Sequence, residues 1–251
     1  AYGGTQDNGT SEYDGDGDWD MVFGGDGGYC VVDYTNDNVV YVEWQNGHRS
    51  RTDNGCQSFN DINPGITGDG PWVTPMVQDP FAPNTIYTTT NGGGGGVWMS
   101  PNQGRNGNWT SLGTVGNSNQ VLAASWAQPN RLYLGSSNLV MRYDGTPGSW
   151  TNVTGNMPNT YVTRVTPDPY DPNTVYVTKS GFSGGHVWKS TQGGMVWTDI
   201  TGNLPNVPCN DIVVDVNDPS ILYAGNDLGV FRSVNNGATW EIFGEGLPVV
   251  R

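Results

Sequence analysis

Two sequence markers recur in step along the chain, and their shared period limits the possible folds more than any other feature. The first is a tyrosine that follows a turn and an aliphatic residue, at intervals of 39 to 47 residues: Tyr2, Tyr41, Tyr87, Tyr133, Tyr176 and Tyr223. The second is an aromatic residue that closes a short polar hairpin, at intervals of 40 to 50 residues: Trp19, Phe59, Trp109, Trp150, Trp197 and Trp240. Two independent markers with one period indicate an internal structural repeat.

One repeat reads as four short strands, "NDIVVDV", "ILYAGND", "GVFRSVN" and "TWEIFG", with a Pro/Asn turn after the first. The 38 glycines and the scarcity of helical periodicity agree with an all-β chain. Four-stranded units of this length predict a β-propeller with five complete blades and parts of a sixth at residues 1–23 and 247–251. We expect one domain over residues 1–251. The two ends could complete the sixth blade, but we expect an excerpt of a larger secreted protein with flanking domains.

The hairpins resemble a known repeat. "SVNNGATW" resembles the Asp-box, or bacterial neuraminidase repeat (Ser-x-Asp-x-Gly-x-x-Trp), with Asn235 in the Asp slot, Gly237 in the glycine slot and Trp240 closing it. "RTDNGCQSF" retains the acid as Asp53 and closes with Phe59. A side-chain oxygen in the Asp slot can accept hydrogen bonds from turn amides, and the aromatic ring fills the gap between blades. We therefore expect these hairpins to be scaffold.

A second resemblance covers residues 1–60. "YGGTQDNGT" and "GGDGGYCVVDYTNDNVVYVEWQNG" are similar to large secreted Asp-box proteins of Bacteroidetes-type bacteria, which are labelled sortilin-like or glycosidase-like. The resemblance implies an extracellular or cell-surface location. Asp-box propellers include sialidases, xyloglucan-hydrolysing enzymes, sortilin-type receptors and photosystem assembly factors, so the fold leaves the function open. The chain lacks the Arg-Ile-Pro motif of sialidases.

Charge and hydropathy restrict the partners. The net charge of −14 disfavours nucleic acid and anionic membranes, whose phosphates would repel the chain. No apolar run approaches about 18 residues, so we expect no membrane insertion. These features favour an extracellular module that binds a glycan or an extracellular protein, or that serves a structural role. The alternative is a glycoside hydrolase that acts on a neutral polysaccharide.

Two aspartates in glycine-rich segments are the catalytic candidates of that alternative. Asp7 lies in "TQDNG" and Asp26 in "GGDGG". A glycosidase needs one protonated and one ionised carboxyl group on either side of the scissile bond, and the flanking glycines would let a sugar approach the backbone. The competing interpretation is that both aspartates cap tight turns.

Three tryptophans are candidates for ligand binding. Seven of the ten tryptophans occupy positions that the repeat explains, which leaves Trp44, Trp72 and Trp126. Exposed aromatic rings on blade loops are what a sugar-stacking or partner-binding surface requires. They could equally be filler between large blades.

The segment "EYDGDGDWD" is a candidate calcium site. Alternate carboxylates, at Glu12, Asp14, Asp16, Asp18 and Asp20, resemble the Asp-x-Asp-Gly-Asp-Gly-x-x-Asp calcium loop of FG-GAP-type propellers. Calcium takes six to eight oxygen ligands, and a loop bent at its glycines can bring alternate carboxylates together. Trp19 also fits the rhythm of the hairpin aromatics, so the segment could be an acidic variant of the same hairpin.

Overall fold

The protein consists almost entirely of short antiparallel strands. The computed structural model describes residues 1–91, 95–116 and 119–244. Within these ranges the strands form six sheets, and two short 3-10 turns, Gln45–Gly47 and Arg105–Gly107, are the other regular elements. None of the helical segments in the described ranges has the length and apolarity that crossing a membrane requires.

Each sheet is built from strands that are consecutive in the sequence and hydrogen-bonded in that order. Sheet 1 has three strands: β1 (Tyr2–Thr5), β2 (Gly9–Glu12) and β3 (Asp20–Phe23). Sheet 2 has β4 (Gly27–Val32), β5 (Val40–Trp44), β6 (His48–Thr52) and β7 (Asn60–Asp61). Sheet 3 has β8 (Met76–Gln78), β9 (Ile86–Thr89), β10 (Gly96–Ser100) and β11 (Thr110–Thr114).

The remaining three sheets follow the same plan. Sheet 4 has β12 (Asn119–Ala124), β13 (Arg131–Ser136), β14 (Leu139–Asp144) and β15 (Trp150–Asn152). Sheet 5 has β16 (Val162–Pro167), β17 (Val175–Lys179), β18 (Val187–Ser190) and β19 (Thr198–Asp199). Sheet 6 has β20 (Cys209–Val214), β21 (Leu222–Asn226), β22 (Gly229–Ser233) and β23 (Glu241–Phe243). The predicted all-β propeller architecture, with five four-stranded blades and part of another at residues 1–23, is confirmed. Residues 247–251, the other predicted part of that blade, lie outside the described residues.

The core lies between neighbouring sheets. In sheets 2 to 5 the second strands are buried on both faces, and all five residues of β17 are buried. The chain divides into two compact units: residues 1–122 with 146–149, and residues 123–145 with those from 150 onward. Within the first unit, one buried cluster joins sheets 2 and 3 and includes Tyr41, Ile86 and Trp109. Within the second, another joins sheets 5 and 6 around Tyr176 and Trp240. The sequence-based expectation of one domain over residues 1–251 stays a prediction.

A serine or threonine at the start of the polar hairpins in sheets 2, 3, 5 and 6 holds the turn together. The Ser233 hydroxyl accepts a hydrogen bond from the Gly237 amide at 2.8 Å, and the Ser190 hydroxyl accepts one from the Gly194 amide at 2.9 Å. Ser100 does the same with the Gly104 amide. Because buried amides need a partner, these hydroxyls make the tight turn stable.

The tryptophans that close the hairpins link neighbouring sheets. Trp197 and Trp240 are 3% and 4% exposed, as the scaffold interpretation predicts. The indole Nε1 of Trp197 donates to the Val153 carbonyl at 2.7 Å, and that of Trp240 donates to the Ile200 carbonyl at 3.0 Å. Each carbonyl directly follows the last strand of the preceding sheet. The ring therefore fills the space between two sheets and satisfies a backbone acceptor there.

The prediction that Asp53 fills the Asp slot of the second hairpin is wrong. Asn54 occupies that position, because its side-chain oxygen accepts a hydrogen bond from the Ser58 amide at 3.0 Å. Asn235 accepts the equivalent bond from the Thr239 amide at 2.9 Å. Asp53 instead forms ion pairs with Arg51 and Arg105. The match to the Asp-box pattern favoured the acidic residue Asp53. The position within the turn, however, decides which side chain reaches the amides.

A third repeated feature, which the sequence analysis missed, lies in the turn between first and second strands. In each four-stranded sheet one side-chain oxygen accepts a hydrogen bond from the amide two residues later, at 2.8 to 3.3 Å: Asp33, Asp79, Ser125, Asp168 and Asp215. This acceptor lies eight residues before the repeat tyrosine in every sheet. The Pro/Asn turns are thus fixed by the side chain that precedes them.

Candidate functional site

The two candidate catalytic aspartates lie beside each other in the first unit. The Asp7 amide donates a hydrogen bond to Oδ1 of Asp26 at 2.7 Å, and the Asp26 amide donates to Oε1 of Gln45 at 3.1 Å. Asp7 has a φ of 64° in the turn between β1 and β2, so the Asp26 carboxylate caps a strained turn. The structure therefore brings the pair together and gives Asp26 a turn-capping role.

Trp44 ends β5, and the loop that follows it is hydrogen-bonded to the loop that carries Trp72. The Asn46 amide donates to the Trp72 carbonyl at 3.2 Å, and the Gly70 amide donates to the Asn46 carbonyl at 3.0 Å. Trp44 is 36% exposed and Trp72 is 51% exposed. Because Gln45 also contacts Asp26, four of the residues that the sequence singled out share one group of loops in the first unit. We call the loops at residues 6–8, 24–28, 44–48 and 68–73 the aromatic loop end.

The Trp44 ring is held from two sides. Phe23 packs against it with ring centroids 5.5 Å apart, and His48 meets it edge-on at 5.5 Å. Gly25 has a φ of 92°, and a Cβ there would collide with the indole. A fixed and partly exposed indole is a suitable platform for the apolar face of a sugar ring.

Trp126 belongs to the second unit and is 57% exposed. It follows Ser125, the acceptor that caps the turn between β12 and β13. Trp44, by contrast, ends a second strand. Trp126 therefore occupies the turn at the opposite end of its own sheet from the position that Trp44 holds in sheet 2.

Several carboxylates of the acidic hairpin at residues 12–20 already accept hydrogen bonds from the protein. Oδ1 of Asp14 accepts a hydrogen bond from the Asp16 amide at 3.1 Å, and Oδ1 of Asp16 accepts one from the Asp18 amide at 3.0 Å. This contact with the Asp18 amide lowers the pKa of Asp16. Oε1 of Glu12 accepts a hydrogen bond from the Tyr2 hydroxyl at 2.6 Å.

The described part of the chain contains no group of three or more His, Cys, Asp or Glu side chains placed to hold a metal ion. Calcium at Glu12, Asp14, Asp16, Asp18 and Asp20 stays a prediction, and it requires these side chains to turn toward a common centre. Trp19 stacks on Tyr13 at 5.4 Å and is 55% exposed. It therefore does not fill a gap between sheets as Trp109, Trp197 and Trp240 do.

A buried acid beneath the aromatic loop end escaped the sequence analysis. Glu43 is fully buried, and its Oε1 has no hydrogen-bond partner, whereas its Oε2 accepts a bond from the Tyr29 amide at 3.3 Å. Burial raises the pKa of Glu43 to about 7, although the amides of Thr74, Tyr29 and Gly47 oppose the shift. A signal was present, because no other second strand carries a carboxylate at this position.

Arg49 faces Glu43 across β5 and β6 and ties the site to sheet 3. Its Nε donates to the Thr88 hydroxyl at 2.6 Å, and its Nη2 donates to the Thr89 carbonyl at 2.5 Å. A third bond runs from Nη1 to the Gly47 carbonyl at 2.5 Å. Burial lowers the pKa of Arg49 to about 10 and the charge of Glu43 opposes it, so the guanidinium stays protonated at neutral pH. Buried hydrogen bonds of Arg49 thus join the strands beneath the aromatic loop end to sheet 3.

No protein-family model matches the chain, and no curated protein matches it. Among solved structures it is similar to the GH74 xyloglucanase of Xanthomonas campestris, with 17% identity and a TM-score of 0.71 over 96% of this chain and 43% of that one. It is also similar to YCF48 bound to D1 peptide, with 16% identity and a TM-score of 0.64 over 96% of this chain and 76% of that one.

A third similar structure is the extracellular domain of a hybrid two-component system of B. thetaiotaomicron. The identity is 13% and the TM-score 0.67, over 97% of this chain and 33% of that one. The chain spans less than half the length of the xyloglucanase. At such identities the likeness establishes the β-propeller fold, and the activity must be argued from the site.

Proposed function

We propose that the protein is an extracellular Asp-box β-propeller module that binds a neutral glycan at the aromatic loop end. The observation that carries this proposal is the pair of exposed indoles, Trp44 and Trp72, on loops joined by hydrogen bonds. Aromatic rings recognise sugars through their apolar faces, and neighbouring carboxylates and amides can bind the hydroxyl groups. Asp7, Asp26 and Asp69 supply carboxylates on these loops.

Charge and fold support a neutral ligand and an extracellular setting. A net charge of −14 would repel an anionic sugar, whereas a neutral glycan carries no such penalty. The similar structures include a xyloglucanase and an extracellular domain. The extracellular space is the environment in which polysaccharides are met. The serine-led polar hairpins fit the Asp-box pattern, which supports the same class of secreted protein.

Affinity electrophoresis and calorimetry with xyloglucan and β-glucan oligosaccharides test this proposal. Trp44→Ala and Trp72→Ala should each weaken binding at least tenfold, since stacking is lost. Trp19→Ala is the matched control, because it removes another exposed indole, at 55%, from the acidic hairpin of the same unit. Equal loss in all three variants, or binding by none of the proteins, would contradict a stacking site at the aromatic loop end.

The second candidate is a glycoside hydrolase, favoured by the contact between Asp7 and Asp26 beside the two indoles. Reducing ends released from the same oligosaccharides would reveal turnover. An enzyme of this kind should lose that turnover in Asp7→Asn or Asp26→Asn while still binding the sugar. Binding without any release of reducing ends supports the binding module over the hydrolase.

A protein ligand is the remaining alternative, since YCF48 is similar in fold and was solved with a peptide. Failure of every glycan together with capture of an extracellular protein through Trp44 and Trp72 would favour it. Loss of capture in Trp44→Ala and Trp72→Ala would distinguish specific binding of a protein from nonspecific adhesion.

A further inference from the structure

An open cavity of about 240 Å³ lies entirely within the first unit, and two loops of the aromatic loop end line part of it. Its walls include Asn46, His48, Arg49, Asn63, Ile66 and Asp69. The His48 ring also meets the Trp44 ring edge-on at 5.5 Å, and the Asn46 amide donates to the Trp72 carbonyl at 3.2 Å. This feature, which we call the side cavity, therefore adjoins the Trp44 indole and the loop that carries Trp72.

Two polar residues of the side cavity already use their side chains within the protein. All three guanidinium nitrogens of Arg49 donate hydrogen bonds, to Thr88, Gly47 and Thr89. Oδ1 of Asn63 accepts a further bond from Nη1 of Arg49 at 3.1 Å, and its Nδ2 donates to Asp61 at 2.8 Å. These two residues form a fixed wall, so a ligand would bond to other side chains of the side cavity.

Three exposed polar side chains of the side cavity are available to a ligand. The side chains of Asn46, His48 and Asp69 form no hydrogen bond with the rest of the described chain. Their loops are nevertheless fixed, because the Asn46 carbonyl accepts from the Gly70 amide at 3.0 Å and the Asp69 carbonyl accepts from the Asn91 amide at 2.7 Å. Asn46 and His48 can supply N–H donors, and the Asp69 carboxylate can accept.

The side cavity also has an apolar wall. Ile66 lines it and packs against the buried cluster that contains Ile86 and Trp109. The Ile66 amide donates to the Asn63 carbonyl at 3.0 Å, so the backbone that carries this side chain is held in place. Donors, an acceptor and an apolar surface therefore surround one small space beside an exposed indole.

This combination of groups distinguishes between the substituents that a sugar can carry. An acetamido group has an N–H donor, a carbonyl acceptor and a methyl group, and the side cavity offers a counterpart to each. A hydroxyl group can use the polar side chains but leaves the surface of Ile66 in contact with water. A carboxylate would be repelled by Asp69, and an ammonium group would leave the donors of Asn46 and His48 unused.

We propose that the side cavity binds the acetamido group of an N-acetylhexosamine in a neutral glycan. Asp69 accepts a hydrogen bond from the acetamido N–H, Asn46 and His48 supply donors to its carbonyl oxygen, and its methyl group contacts Ile66. The sugar ring that carries this group stacks on Trp44. The inference thus rests on the proposed glycan site and names the class of sugar that the site prefers.

Calorimetry of the intact protein with three trisaccharides tests the proposal. The sugars are triacetylchitotriose, its deacetylated glucosamine form and cellotriose, which carries hydroxyl groups instead. We expect triacetylchitotriose to bind about tenfold more tightly than cellotriose, because it adds a hydrogen bond to a charged acceptor. It should also bind more tightly than the glucosamine trimer. Saturation-transfer nuclear magnetic resonance should show the strongest transfer to the acetyl methyl protons.

Two substitutions remove the polar contacts of the side cavity. Asp69→Ala removes the acceptor, and Asn46→Gly removes the amide group while glycine tolerates the φ of 64° at this position. Each should reduce the preference for triacetylchitotriose to about twofold and leave the affinity for cellotriose unchanged. Asp37→Ala, which removes an exposed carboxylate of the same unit outside the side cavity, controls for net charge.

The outcomes separate this proposal from the glycan site on which it rests. Equal affinity for triacetylchitotriose and cellotriose, with both lost in Trp44→Ala, would overturn the acetamido site and leave the glycan site intact. The acetamido site is also overturned if the glucosamine trimer binds most tightly, or if Asp69→Ala and Asn46→Gly retain the full preference. Binding of none of the three sugars would contradict both proposals.

Discussion

The two units use the same repeat in different ways. In the second unit both serine-led hairpins close with a tryptophan that is buried and bonded to the preceding sheet, Trp197 and Trp240. The first unit retains one such link at Trp109, but it exposes Trp19, Trp44 and Trp72 and buries an acid at Glu43. Tryptophan is therefore part of the scaffold where a neighbouring sheet offers a carbonyl to its indole. It lies at the surface where none of the described contacts supplies such a carbonyl.

Truncation of a buried and of an exposed hairpin tryptophan should give the largest difference in the free energy of unfolding. Trp240→Ala removes a buried ring and its hydrogen bond to Ile200, and we expect a loss of about 3–5 kcal/mol in the free energy of unfolding. Trp19→Ala removes an exposed ring and should cost less than about 1 kcal/mol. Urea denaturation followed by circular dichroism measures both. Equal midpoints for the two variants would show that the units do not differ in this respect.

The buried acid makes the first unit sensitive to pH in a defined direction. Glu43 has a pKa of about 7 in the folded protein, above its ordinary value of 4.5. Between these values the unfolded chain has released the proton that the folded chain still holds. Raising the pH therefore favours unfolding, and the contribution of Glu43 to stability is present below pH 4.5 and lost by about pH 7.

The size of that loss is on the order of 3 kcal/mol, from the difference between the two pKa values. Glu43→Gln should remove it, so the stability gap between parent and variant should change from pH 4.5 to pH 7.5. Glu241→Gln, which changes an exposed carboxylate, is the control for net charge. A gap that stays constant with pH would show that Glu43 titrates normally.

The hairpin serines should have a smaller effect. Ser233→Ala removes the acceptor that the buried Gly237 amide uses at 2.8 Å, and we expect a loss of about 1–2 kcal/mol. Val234→Ala changes the adjacent exposed side chain and should be nearly neutral. Thermal melting of both variants tests whether the hydroxyl stabilises the turn. No difference between them would show that water replaces the serine.

The period of the aromatic markers was sufficient to predict the sheets, because each fourth strand begins at or directly after the predicted aromatic residue. Local turn chemistry was less predictable. Asp53 and Asn54 are neighbours in sequence, and only the backbone of the turn decides which of them reaches the Ser58 amide. The match to the Asp-box pattern assigned the slot to the aspartate and was wrong by one position.

Buried polar groups depend on what neighbouring strands and turns supply, so sequence alone revealed little about them. Glu43 is buried between strands, where Gly28 leaves it room that any side chain would fill. The Tyr176 hydroxyl lacks a partner although its equivalent in sheet 3 has one, and nothing in "TVYVTKS" marks that difference. Trp44, Trp72 and Trp126, by contrast, were selected by elimination, because the repeat gave them no scaffold position, and their role in ligand binding stays a prediction.

The smallest expected effect concerns the acidic hairpin, where the first unit departs most from the repeat. Calcium would have to draw Asp14 and Asp16 away from the amides they now cap, so we expect weak binding with a dissociation constant near 1 mM. At 10 mM calcium such a site adds about 1.4 kcal/mol to stability and raises the melting temperature by a few degrees. Calorimetry on chelator-treated protein measures the heat, and magnesium is the control because it prefers a smaller, octahedral set of ligands. Glu12→Gln should reduce the calcium effect. No heat and no shift in melting temperature at millimolar calcium would show that the hairpin is only an acidic variant of the repeat.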